Sequence, residues 1–335
     1  MKGFRKAAWL AALGFGVPAV VNLAVASRRK ELTNALPGPS ESYDWPLAKI
    51  RYYVHGEGRP LLLVHGIGAG SSAYEWRHNF ETLSRDFRVF APDLPGFGRS
   101  DRRDLDYTAD LYVLALFDFL RDVVKEPACV VASTLGAAFA IQLAAMRPEL
   151  FDRLVLVCPT GLERLRARVP VLGDAAYGIM SLPAIGESIY NGVASYSYIA
   201  SYCRQSLYVD PARVTPSLVE HYYQYAHRSG GRFAIRAFLS GKLVCDVSES
   251  YPKVAKPILL AWGRQAKELP VEGAQPFLDL NPNARLLVFE NSKMLPHDEE
   301  STAFNEAVVR FLNERPILQQ TREADRIASA GVAAY

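Results

Sequence analysis

Hydrophobic and polar positions alternate in blocks along most of the chain. Short β-rich runs occur at Ile50–Val54, Leu61–Val64, Arg88–Ala91 and Cys129–Val131, and Leu154–Cys158 is apolar throughout. Between them lie segments of helical spacing. Over Thr108–Val124 one face carries Leu111, Leu114, Phe117 and Leu120, and Leu135–Met146 is also helical. Runs apolar at every position predict strands buried on both faces, and amphipathic helices between them predict a parallel sheet with helices on each side. The alternation stops after Pro159. Residues 163–250 have mainly helical character and are rich in tyrosine, including Tyr196, Tyr198, Tyr202, Tyr222, Tyr223 and Tyr225. Strand-like and helical runs then resume at Pro257–Trp262, Val271–Leu280 and Arg285–Phe289, and a last amphipathic helix is expected over Thr302–Asn313. The middle therefore reads as an insertion into one sheet. The expected organisation is a core of 49–162 and 251–314, a helical cap over 163–250 and a tail over 315–335.

The two ends of the pattern differ from the core. Residues 31–48 are polar and punctuated by Pro37, Pro39 and Pro46, which reads as a linker. Before it, an apolar run from Ala7 to Ala26 is flanked by Lys2, Arg5 and Lys6 and by Arg28, Arg29 and Lys30. About 20 apolar residues suffice to cross a bilayer. Residues 1–30 are thus expected to form a signal anchor, the favoured reading, or a signal peptide cleaved after Ala24-Val25-Ala26. Either way the partner of residues 7–26 is a membrane, and equally basic flanks leave the side open.

Composition adds exclusions. Half of the 335 residues are hydrophobic and 22% are charged, enough apolar matter for a sizeable core. With 38 basic and 35 acidic residues the formal charge is +3, so no nucleic-acid partner is expected. Cys129, Cys158, Cys203 and Cys245 are widely spaced and form no C-x-x-C pair, so neither a disulfide scaffold nor a zinc ribbon is expected. His221 and His227 stand six apart, which is no metal spacing. No cofactor and no metal are expected.

Four segments carry a resemblance. Leu62-Leu63-Val64-His65-Gly66 ends a strand in an HG turn, and Asp93 to Ser100 reads D-x-x-G-x-G-x-S. Ala132-Ser133-Thr134-Leu135-Gly136 stands where a strand should turn sharply into a helix, and Pro296, Glu299 and Phe304 precede and enter the last helix. Over residues 48–314 the chain resembles the α/β-hydrolase superfamily. With Trp76-Arg77 and the insertion, it looks like the capped branch of epoxide hydrolases and haloalkane dehalogenases. The resemblance implies an α/β-hydrolase fold and a nucleophile–histidine–acid triad.

The triad positions depart from that pattern. The nucleophile position of the G-x-S-x-G elbow holds Thr134, a β-branched residue where strained positive-φ backbone is expected. The acid position after the seventh strand, in Trp262-Gly263-Arg264-Gln265-Ala266, holds Ala266, and Glu268 is two residues on. Counting back from Phe304, the base position holds Met294. His297 is the alternative base, but three residues of extended chain span roughly 10 Å, which argues for a bystander that is exposed or caps a helix. An oxyanion or ligand site survives in the expectation, formed by Gly66, Ile67 and the amide of Leu135. His65 is expected to be structural. The expected function is therefore a membrane-associated pseudohydrolase that binds a small apolar or carbonyl-bearing ligand or serves a protein partner as an interaction subunit. The alternative is a hydrolase of the esterase or epoxide hydrolase type that uses Thr134 or Ser133 with His297.

Overall fold

The computed structural model describes residues 34–162 and 170–314, together with Asn22, Ser27 and Leu32. The expected anchor over residues 1–30, apart from Asn22 and Ser27, and the expected tail over 315–335 lie outside the described residues. No helix among the described residues is long and apolar enough to cross a membrane.

Eight strands form one sheet in the order β1-β2-β4-β3-β5-β6-β7-β8. They are β1 Ser40–Asp44, β2 Lys49–His55, β3 Pro60–Val64, β4 Arg88–Pro92, β5 Ala128–Ser133, β6 Phe151–Val157, β7 Ile258–Gly263 and β8 Ala284–Phe289. Strand β2 runs antiparallel to β1 and β4, and the remaining pairs are parallel. Strands β3, β5 and β7 are buried at every position. Helices α1 Ala109–Phe119 and α2 Thr134–Met146 pack on one another and cover the sheet.

The linker expectation needs correction. Ser40–Asp44 is an edge strand, and Ala35, Leu36, Trp45 and Ala48 are buried. Its five residues, Ser-Glu-Ser-Tyr-Asp, show no apolar face because an edge strand has one side in water. The core therefore starts near residue 40 rather than 49.

The insertion is helical among its described residues. It contains α3 Pro170–Ser181, α4 Ile185–Val193, α5 Tyr196–Tyr202, α6 Pro216–Ala226 and α7 Arg232–Leu239. Serine and threonine caps fix two of the starts: Ser195 accepts from Tyr198 N, and Thr215 accepts from Leu218 N. After the insertion the core resumes with β7, α8 Gln275–Leu280, β8 and α9 Ser301–Asn313.

The glycine-rich loop after β4 fixes the wall of the site. Asp93 is fully buried, and its carboxylate accepts Ala73 N at 2.7 Å and Arg99 N at 2.8 Å. Burial pushes the Asp93 carboxyl up, and the two amides oppose that. Ser100 Oγ accepts Arg51 N at 2.8 Å and donates to Asp93 O at 2.5 Å. The loop thereby clamps the short helical turn Ala73–Trp76 against the end of β3.

Candidate active site

The end of β5 turns into α2 at Thr134, whose φ is +47°. The positive φ expected of a nucleophile elbow is present on a β-branched residue, where it costs of order 1–3 kcal/mol. Two small residues make room for the turn. A Cβ on Gly66 would lie 2.6 Å from Thr134 Oγ1, and one on Gly136 would lie 2.6 Å from His65 O. His65 is structural, as expected. Its Nε2 accepts Leu94 N at 3.0 Å, which leaves Nδ1 to donate to Gly66 O at 2.7 Å.

A cavity of about 240 Å³ lies between the elbow and the cap. From the core it is lined by Gly66, Ile67, Glu75, Ser133, Thr134 and Met294. From the cap it is lined by aliphatic residues and by Tyr198, Tyr202 and Tyr222. The tyrosine cluster thus divides: these three line the cavity, while Tyr190, Tyr208 and Tyr225 are buried in packing. His221 stacks between Tyr74 at 3.6 Å and Tyr225 at 4.1 Å, and burial pushes its imidazole down to about 3. No metal-holding group of side chains occurs among the described residues.

The acid and base loops are drawn together. Gln265 N donates to Ser292 O at 3.0 Å, and Arg264 N donates to Phe289 O at 2.9 Å. Met294 reaches the cavity, whereas Ala266 is buried and does not line it. Glu268 is engaged elsewhere, accepting a hydrogen bond from Ser206 of the cap. Leu135 follows Thr134 in α2 but is not a lining residue. The Gly66 amide of the expected oxyanion group is already engaged, donating to Glu75 Oε2 at 2.8 Å.

His297 is not exposed. The segment Pro296–Glu299 is a helical turn rather than extended chain, and it buries the imidazole completely. The ring packs on Trp76 at 4.5 Å and on Phe304 at 5.8 Å. Its Nε2 faces Glu75 Oε1 at 3.4 Å. Glu75, absent from the sequence expectations, is the charged residue of the cavity wall among the described residues. Burial pushes its carboxyl up, but His297 first and His65 next pull harder, so it rests below its ordinary value. The sequence signal for it is an acid directly before Trp76-Arg77, in the segment that follows the HG turn.

Next to the site, Asp298 and Glu299 tie core to cap. Asp298 Oδ2 accepts Arg77 Nη2 at 2.6 Å and is also hydrogen-bonded by the Tyr208 hydroxyl. Glu299 accepts Val209 N at 2.6 Å and Lys293 N at 2.7 Å.

A model of the alpha/beta hydrolase family matches residues 61–307. The chain belongs to that family. Among similar proteins, an uncharacterized protein of Mycobacterium tuberculosis is 29% identical over 269 residues, 78% of this chain and 77% of that one. The 2-hydroxy-6-oxo-6-(2'-aminophenyl)hexa-2,4-dienoic acid hydrolase of Metapseudomonas resinovorans is 28% identical over 277 residues, 80% of this chain and 88% of that one. Among solved structures, the meta-cleavage product hydrolase CumD of Pseudomonas fluorescens IP01, as a serine-to-alanine variant complexed with acetates, is 26% identical. It superposes with a TM-score of 0.68 over 82% of this chain and 97% of its own.

Proposed function

We propose that the chain is a hydrolase of small, apolar, carbonyl-bearing compounds that works with a non-standard catalytic set. One observation carries this reading: a mostly apolar cavity ends on the strained elbow, where Ser133, Thr134 and Glu75 line one wall. Apolar walls with a few convergent polar groups are what a small-molecule site requires. The relatives named as hydrolases support the same chemistry. The substrate in the Metapseudomonas resinovorans enzyme's name is an acid. No arginine, lysine or histidine lines this cavity among the described residues to receive a carboxylate, so the reading here is of an uncharged substrate.

A second reading is a non-catalytic member of the family that binds a ligand or acts as an interaction subunit. It is favoured by Thr134, Ala266 and Met294 at the nucleophile, acid and base positions. The hydrolase reading is preferred because it accounts for the polar groups that do meet the cavity. A panel of neutral 4-nitrophenyl esters separates the two. The hydrolase reading expects saturable turnover, competitively inhibited by a ketone of matching shape. Tight binding of that ketone with no turnover of any ester selects the second reading.

We also propose that residues 7–26 hold the chain at a membrane. The apolar run supports this.

A further inference from the structure

Four buried polar atoms meet behind the elbow without a hydrogen bond: Glu75 Oε1, Ser133 Oγ and both ring nitrogens of His297. Ser133 is 1% exposed, His297 is 0% exposed, and the Glu75 side chain is 10% exposed. Leaving a buried polar atom unpaired costs about 1–3 kcal/mol, so native interiors contain few of them. These four face one another rather than other partners, His297 Nε2 standing 3.4 Å from Glu75 Oε1, around the one charged group that lines the cavity among the described residues. The carboxylate is held rigidly. Its other oxygen, Oε2, accepts Gly66 N at 2.8 Å, and the turn that carries it is gripped by Asp93 through Ala73 N. His297 stands directly behind it and does not line the cavity. Ser133 is the hydroxyl that lies against this carboxylate.

We propose that Glu75 is the general base of this cavity, with His297 as its positioning residue, and that its charge restricts the site to uncharged carbonyl substrates. This rests on the hydrolase reading. A water in the cavity beside Glu75 gives one proton to the carboxylate as the water oxygen attacks the carbonyl carbon, and the carbonyl π electrons move onto the carbonyl oxygen. When the tetrahedral species collapses, the bond from carbon to the leaving oxygen breaks, and that oxygen takes the proton from Glu75. The products are one carboxylic acid and one alcohol, and the carboxylate is regenerated. Once the acid has lost its proton to solvent water, repulsion between its carboxylate and ionised Glu75 favours product release. The buried imidazole fixes the carboxylate and favours its charged form, so the base is ready at neutral pH.

Three measurements on the full chain test this. Glu75→Gln keeps an acceptor for Gly66 N and removes the base, so kcat should fall by about 100-fold or more with KM unchanged. Glu75→Asp should recover part of that loss. In the wild type, a group that must be ionised and sits below its ordinary value gives a kcat that is level across neutral pH and falls only on the acid side of the usual carboxylate range. His297→Asn should move that acid limb to higher pH, because the group pulling the carboxyl down is gone. A merely structural His297 would lower kcat without moving the limb. Calorimetry with phenylacetamide and phenylacetate reads the charge without turnover: the wild type should bind the amide and reject the acid, and Glu75→Gln should narrow the gap. Turnover undiminished in Glu75→Gln overturns the base role while leaving the hydrolase reading intact. A wild type inactive on every neutral ester sinks the hydrolase reading and the base role together. Equal binding of acid and amide by the wild type overturns the restriction to uncharged ligands.

Discussion

Replacing Asp298 by asparagine removes one charge and almost no volume, at the point where the cap is bound to the core. Asp298 is 3% exposed, and its Oδ2 accepts Arg77 Nη2 at 2.6 Å. The Arg77 side chain is 16% exposed, and its guanidinium also lies over the Tyr74 ring at 4.6 Å. Burial works against the Arg77 charge, but Asp298 outweighs it and holds the guanidinium far above its ordinary value. His78, 3.3 Å from Oδ1, is no substitute for Arg77. Burial and then Arg77 hold its imidazole below its ordinary value, and Asp298 only partly opposes them. Asparagine would leave Arg77 buried opposite a neutral amide. Breaking a buried pair by removing one partner costs about 3–5 kcal/mol. At about 2 °C per kcal/mol for a domain of this length, Tm should fall by roughly 6–10 °C. Thermal unfolding measures the shift, and limited proteolysis should show earlier cutting between α5 and α6, the stretch that carries Tyr208. The exposed pair Lys49–Asp44, at 3.1 Å, is the control: Asp44→Asn should leave Tm unchanged. A Tm for Asp298→Asn within about 1 °C of wild type, on the order of experimental error at that slope, would refute the argument.

Three further outcomes are expected. The triple variant Thr134→Ser, Ala266→Asp, Met294→His should turn esters over through a covalent acyl-serine that the wild type does not form, detectable by mass spectrometry after acid quench, while no single change should produce it because these groups act as a unit. Without the histidine the buried carboxylate at position 266 stays unpaired, so the double variant should melt below the triple. Gly136→Ala should lower stability by about 1–3 kcal/mol in a denaturant titration, because its Cβ would meet His65 O at 2.6 Å and Val64 Cγ1 at 3.2 Å. Carbonate extraction should leave the full-length chain in the membrane pellet, and release into the supernatant would contradict anchoring by residues 7–26.

The parts of the fold that are legible in the sequence are those buried on both sides. Strands β3 and β7, and β5 up to its last residue, Ser133, are apolar because helices cover both faces, and that pattern needs no tertiary knowledge. Strand β1 escapes a reading by pattern because an edge strand with polar residues looks like the linker before it. At the site, the elbow strain at Thr134 is legible from the motif and is present as φ +47°. The place of His297 is not, because a distance from position 294 reckoned along extended chain fails where Pro296–Glu299 coils and turns the ring inward against Trp76. Glu75 is not legible at all from spacing. The turn that carries it is placed by Asp93, twenty residues beyond Ala73 in sequence, which holds Ala73 N.

Whether the cavity under the cap is a hydrolytic site is tested most directly by the turnover of 4-nitrophenyl butyrate in wild type and Met294→Trp. Met294 lines the cavity beside the elbow, so an indole there fills it without touching Glu75, Ser133 or Thr134 by substitution. The account predicts saturable hydrolysis by the wild type and its loss in a Met294→Trp protein that still unfolds cooperatively. Absence of wild-type turnover above the buffer rate, or turnover indifferent to the filled cavity, would contradict it.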